Sequence, residues 1–220
     1  AAYAAGEIAL STAGKIAVKT TKANTRDLVT ESDVACQRII KETILKEFPN
    51  DLFLGEEDID LSGDSSSASS DALRDALGTA EGSDDDDDRL LYIVDPIDGT
   101  TNFQAGLPIY AMSIGAVSLV GSKPEVVAGV IYNPTMGEMT SAVKGRGCYL
   151  NNRRINPPSN DEEDSEQQQP RKSVLGESLI NVGFPVAKES TLLLSSRAVS
   201  SLATKVRGLR MVACASQAMA

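Results

Sequence analysis

The stretch Leu90-Leu-Tyr-Ile-Val-Asp-Pro-Ile-Asp-Gly-Thr-Thr-Asn-Phe103 decides how the rest of the chain is read. Its first five residues, Leu90 to Val94, are apolar and partly β-branched, and a proline and a glycine follow closely, which predicts a short buried strand rather than a helix. The strand ends on acid. Asp95 and Asp98 stand three residues apart, Pro96 stiffens the backbone between them, and Gly99-Thr100-Thr101 follows as a turn whose amides and hydroxyls can face an anion. Two carboxylates beside such a cradle suit a hard cation such as magnesium and a phosphorylated substrate. On its own, Asp-x-x-Asp reads more readily as a solvated Pro-containing turn, because short motifs recur by chance.

Upstream, Leu52-Phe53-Leu54-Gly55-Glu56-Glu57-Asp58 repeats the pattern, a short apolar strand broken by glycine into three acids. Like charges this close are either solvated or held near a cation, and only the second acid-ended strand brings the cation into view. Further upstream, Ile40, Ile44 and Phe48 recur four residues apart, with Val34 and Ile39 nearby, and predict a helix over Ser32 to Phe48. Thr30 or Ser32 can cap its start, and Pro49-Asn50 stops it. Asp33 falls in the first turn, where the helix dipole favours a carboxylate, so stabilising the helix end is its plainer role. The Ala-rich segment from Ala1 to Gly14 has helical propensity, and Lys15 to Lys22 reads as strand or extended chain.

Downstream, Tyr110 to Val120 and Val126 to Tyr132 form a hairpin-like pair, continued by Met139 to Val143 and Cys148 to Leu150, with Asn151 to Arg154 as a turn. Ser178 to Val182 suggests a strand, Lys188 to about Lys205 a helix, Leu209 to Val212 a strand, and Cys214 onward the opening of another helix. These elements predict an α/β chain of the α+β layered kind, one domain over 1–220, with helices packed on a largely antiparallel sheet. Two biased insertions, 62–88 and 159–172, have too little apolar content for a core and are expected to be disordered.

Bulk properties narrow the chemistry. No apolar run approaches the roughly 20 residues that span a bilayer, so no membrane partner is expected. The net charge of -10 is regional: Glu56 to Asp88 holds 13 acidic residues and one basic residue, Arg74, and the remaining chain sums to +2. There is no Lys/Arg cluster of the kind nucleic-acid binding needs. Three dispersed cysteines argue against a disulfide framework or a zinc site. The absence of histidine excludes Ser-His-Asp and Cys-His mechanisms and leaves carboxylates, hydroxyls, Lys or an oxygen-liganded metal.

The motifs Asp27-Leu28-Val29-Thr30-Glu31-Ser32-Asp33, Gly55-Glu56-Glu57, Asp95-Pro96-Ile97-Asp98-Gly99-Thr100-Thr101-Asn102-Phe103 and Ser113-Ile114-Gly115 together resemble the inositol monophosphatase family of magnesium-dependent, lithium-sensitive phosphatases. Order and spacing match along nearly the whole chain, apart from the acidic insertion. The resemblance implies that Glu56, Asp95 and the Ile97 carbonyl hold one Mg2+, and that Asp95 and Asp98 share a second. It implies that Asp33 and Thr100 orient and deprotonate the attacking water, with Glu56 counted among the catalytic groups. It further implies that the Gly99 and Thr100 amides grip the phosphate, that Glu56, Ile97 and Asp98 border the substrate, and that Ala213, Cys214 and Ala215 contact the inositol ring. Lys22 and Glu57 are further candidates, Lys22 as positive charge near the site.

The implied activity is hydrolysis of a small polyol phosphate, inositol 1-phosphate first. Histidinol phosphate, fructose 1,6-bisphosphate and 3′-phosphoadenosine phosphate remain alternatives within the fold, and a non-catalytic relative acting through a protein partner is the rival from another class. Two departures stand out. The family's Trp-Asp-x-Ala-like motif, which carries a further acidic ligand, does not occur, and Ala213 replaces a usual glycine. A C-terminally truncated and poorly active chain is therefore expected, with a homodimer when full length. The expected compartment is the cytoplasm, or a plastid if a transit peptide preceded Ala1.

Overall fold

The structure is a computed structural model that describes residues 1–15, 18–21, 28–59, 71, 73, 89–120, 124–155, 175–183 and 189–219. The expected disordered insertions lie outside the described residues, residues 71 and 73 apart, and so does Lys22.

Helix α1 (Ala2–Thr12) and helix α2 (Glu31–Glu47) pack on each other and on the central sheet. The weak amphipathic signal of α1 has a simple cause: its buried face is Ala2, Ala5, Gly6 and Ala9. Small residues let it lie close to the sheet, and a Cβ at Gly6 would stand 2.4 Å from Cε1 of Tyr132. Thr30 is the N-cap of α2, and the Asp33 carboxylate accepts a 2.8 Å hydrogen bond from its amide, the return arm of a capping box. The buried row of α2 is Cys36, Ile40 and Ile44. Phe48, expected to continue that row, is exposed because it is the C-cap, where the chain has already left the helix at φ -128° and ψ 73°, and Val34 is exposed because it lies off the row.

Strands β1 (Val18–Thr21) and β2 (Leu28–Thr30) form an antiparallel ribbon leading into α2. The main sheet has seven strands in sequential order: β3 (Leu52–Gly55), β4 (Leu90–Asp98), β5 (Ala111–Ser118), β6 (Glu125–Asn133), β7 (Glu138–Val143), β8 (Gly147–Leu150) and β9 (Arg153–Ile155). Within this sheet β3 and β4 pair in parallel, with Gly55 opposite Val94, and the other described pairs are antiparallel. The core joins α1 and α2 to Val94, Ile97, Met112 and Tyr132 of the sheet and to Phe103 and Tyr110 beside it.

Two expectations change. Strand β4 does not stop at Val94 but runs through Pro96 to Asp98, because a bulge admits the proline: Asp95 pairs with Ser113 and Asp98 with Ala111, three residues against two. The turn expected at Asn151 to Arg154 is confined to Asn151 and Asn152, both at positive φ (48° and 66°), and Arg153 begins β9.

Strands β10 (Leu179–Asn181) and β11 (Gly208–Arg210) pair in parallel across helix α4 (Glu189–Ala203). Among the described residues, no helix is long and apolar enough to cross a membrane.

Candidate active site

The bulged end of β4 passes through Gly99 into helix α3 (Thr100–Gln104). Gly99 sits at φ +92°, and an added Cβ would meet the Ile109 carbonyl at 2.9 Å and the Cys214 Cβ at 3.2 Å, so only glycine turns the chain here. Phe103 anchors α3 edge-on against Tyr110, with ring centroids 5.1 Å apart, and both rings are buried. The turn is therefore held between a core aromatic pair and the C-terminal segment.

From α2, Asp33 reaches this turn. Its Oδ1 lies 3.2 Å from the Thr100 hydroxyl, which also stands 3.1 Å from the Ile97 carbonyl and shares its one proton between them. Asp33 Oδ2 accepts from both the amide and the hydroxyl of Thr30. Only 1% of Asp33 is exposed. Burial pushes its carboxyl above the usual carboxylate range, opposed by the hydrogen bonds from Thr30 and Thr100. Asp33 is thus both the helix-end carboxylate of the plainer reading and a partner of Thr100.

The C-terminal segment closes the other side. Helix α5 (Ala215–Met219) begins where the Ser216 amide donates a 2.6 Å hydrogen bond to Asp98 Oδ2, and the Cys214 thiol donates to the Asp98 carbonyl at 3.3 Å. Asn102 Nδ2 lies 2.9 Å from the Ile109 carbonyl and 2.7 Å from that of Val212. Ala213, where the family resemblance leads one to expect glycine, adopts φ 52°. The Cys214 thiol is pushed up to about 12 by burial, which removes it as a nucleophile at neutral pH.

Glu56 opens a 3₁₀ turn, Glu56–Asp58, directly after β3. Because Gly55 is opposite Val94 in the parallel pair, Glu56 follows at the level of Asp95. The candidate metal donors are thus three carboxylates and the Ile97 carbonyl, all hard oxygens at adjoining strand ends, and they fit Mg2+ in chemical kind. As the side chains stand, no group of three acidic or thiol residues among the described residues forms a ready cage.

The structure therefore gathers Asp33, Ile97 and Thr100 into one hydrogen-bonded group. It places Asp98, Gly99, Ala213, Cys214 and Ala215 around the adjacent turn, and Glu56 and Glu57 at the neighbouring strand end. Lys22 lies outside the described residues. Sequence reasoning gave no role to Gln37, Asn102 or Ser216. Gln37, four residues after Asp33, was the one with a signal, since i and i+4 share a helix face.

The inositol monophosphatase family profile matches residues 1–219. The chain is 35% identical over 185 residues to inositol monophosphatase 1 of Solanum lycopersicum, covering 84% of this chain and 55% of that protein. It is 33% identical over 138 residues to the Nus factor SuhB of Pasteurella multocida, covering 63% of this chain and 42% of that protein. The crystal structure of the extragenic suppressor protein suhB from Bartonella henselae superposes with a TM-score of 0.68 at 27% identity, over 97% of this chain and 67% of that one. The chain spans about half the length of the curated relatives it matches. The site lies on the family's own motifs within a matching fold, and the chain belongs to the inositol monophosphatase family.

Proposed function

We propose that the chain supplies the strand-end site of a Mg2+-dependent phosphomonoesterase acting on a small polyol phosphate, with inositol 1-phosphate as its substrate. The observation that carries the reading is the Thr100 hydroxyl, 3.2 Å from the buried Asp33 carboxylate, where strands bearing Glu56, Asp95 and Asp98 end side by side. Glu56, Asp95 and the Ile97 carbonyl would hold one Mg2+, and Asp95 and Asp98 a second. Bound there, the ions supply positive charge that acidifies an attacking water and stabilises the leaving oxygen.

The protein's own groups do the rest. Thr100 donates its proton to Asp33, which leaves a hydroxyl lone pair to accept a proton from water. The raised carboxyl of Asp33 brings it nearer the working pH of a general base. The Gly99 and Thr100 amides face the phosphate oxygens, and the segment from Ala213 to Ala215 borders the ring of the alcohol. The same reading includes a homodimer for the full-length protein.

A second reading, a relative that works by binding a protein partner, is favoured by the similarity to the Nus factor SuhB proteins of Pasteurella multocida and Haemophilus influenzae. Phosphate release from inositol 1-phosphate, with and without Mg2+, by the wild-type chain and Glu56→Gln separates the two. The phosphatase reading expects magnesium-dependent release that the variant loses. Release that is absent from the wild type, or unchanged in the variant, contradicts it.

A further inference from the structure

We infer that Gln37 is a positioning residue whose side-chain amide fixes the Glu56–Asp58 turn and so sets where the Glu56 carboxylate stands beside Asp95. The inference rests on the metal-holding role proposed for Glu56. Helix α2 presents positions 33, 37 and 41 in one row, four residues apart. Each member of the row touches the site wall. Asp33 meets Thr100, Gln37 Oε1 accepts a 2.9 Å hydrogen bond from the Glu57 amide, and Lys41 Nζ lies 3.9 Å from Asp58 Oδ2 and 5.3 Å from the centre of the Phe53 ring.

Of the three, Gln37 acts on the backbone of the turn itself. A three-residue 3₁₀ turn is soft, and its first amides have no acceptor within the turn. Here Gly55 provides no side-chain cap, and the Ile59 amide closes the turn onto the Glu56 carbonyl at 3.2 Å. Gln37, only 7% exposed, supplies the missing acceptor from another element.

Gly55 shapes the same contact from the strand side. A Cβ there would stand 2.1 Å from Gln37 Oε1 and 2.2 Å from its Cδ, so the absence of a side chain at 55 makes the slot in which the amide lies. Glu56 is thus bracketed: the residue before it is packed on Gln37 and the residue after it is hydrogen-bonded to Gln37. Through Asp33 and Gln37 together, one rigid helix ties the Thr100 turn to the Glu56 turn.

The test pairs amide hydrogen exchange at Glu57 with a Mg2+ titration of the 220-residue chain, on wild type, Gln37→Met, Gln37→Glu, Gly55→Ala and the Gln37→Met/Gly55→Ala double variant. Methionine keeps the length of the side chain and removes the acceptor, whereas glutamate keeps the acceptor. Gly55→Ala expels an intact Gln37. The expected result is faster Glu57 exchange and about 10-fold weaker Mg2+ binding in Gln37→Met, the scale of losing a residue that orients a ligand. Slow exchange should return in Gln37→Glu, and the double variant should be no worse than either single one, because both remove the same contact.

Wild-type exchange in Gln37→Met, equal loss in Gln37→Met and Gln37→Glu, or additive losses in the double variant would overturn the inference. A wild-type chain that binds no Mg2+ overturns the metal reading instead, and the Glu57 exchange pattern then decides on its own whether Gln37 holds the turn.

Discussion

Helices α2 and α4 are of similar length, 17 and 15 residues, and both carry apolar side chains at helical spacing, yet they do opposite things with them. Helix α2 buries Cys36, Ile40 and Ile44 and uses the adjoining row, Asp33 and Gln37, to hold two turns of the candidate site. Helix α4 leaves Leu193 and Leu194 at 63% and 69% exposure, and Leu179 in β10 and Met211, just after β11, are 59% exposed each. The C-terminal side reaches the site through polar links instead, Asn102 to Val212 and Asp98 to Ser216. One side of the site is thus set by packing, the other by a few hydrogen bonds. An amphipathic pattern alone does not distinguish these two conditions.

The largest difference should appear on truncating the two helices. Ile40→Ala removes a fully buried side chain and is expected to cost about 2–5 kcal/mol. Leu194→Ala should stay within about 0.5 kcal/mol, as for an exposed position. Urea unfolding of both variants checks this, and equal costs would erase the distinction.

A smaller effect isolates the polar side. Asn102→Ala leaves the carbonyls of Ile109 and Val212 without their donor, at about 1–3 kcal/mol. Hydrogen exchange should show the loss as faster exchange at the Ser216 amide, while the Glu57 amide on the α2 side keeps its rate. Equal acceleration at both amides would mean that the two sides are one cooperative unit.

The smallest effect concerns pH. Burial raises the Asp33 carboxyl, so the folded chain holds that proton more tightly than the unfolded one. The contribution to stability is therefore complete below about pH 4, the unfolded value, and is lost as pH rises through the higher folded value. In Asp33→Asn this part of the pH dependence should vanish from urea midpoints measured across the acid range. Identical profiles for variant and wild type would show that Asp33 is not perturbed in this direction.

Much of this was legible in the sequence because it is local. The apolar runs ending in acid gave β3 and β4, the four-residue spacing gave α2, and the motif Asp95 to Phe103 located the site turn. The errors were local too. Pro96 reads as the end of a strand because a bulge cannot be read from one strand alone, and Phe48 reads as buried because its four-residue spacing does not show that the helix ends at Glu47. What stayed hidden were side-chain contacts across long sequence distances, such as Asn102 to Val212 and Ser216 to Asp98, for which no periodicity exists. Gln37 lies between these cases: its helical row was readable, but its partner at Glu57 was not.

The central claim is that the adjoining ends of β3 and β4 form a Mg2+ site, with Asp95 at its middle. Calorimetric titration of Mg2+ into the wild-type chain and into Asp95→Asn, which replaces a carboxylate by an amide of the same shape, tests it most directly. The account predicts saturable binding by the wild type that Asp95→Asn loses. Indistinguishable titrations of the two chains would contradict it.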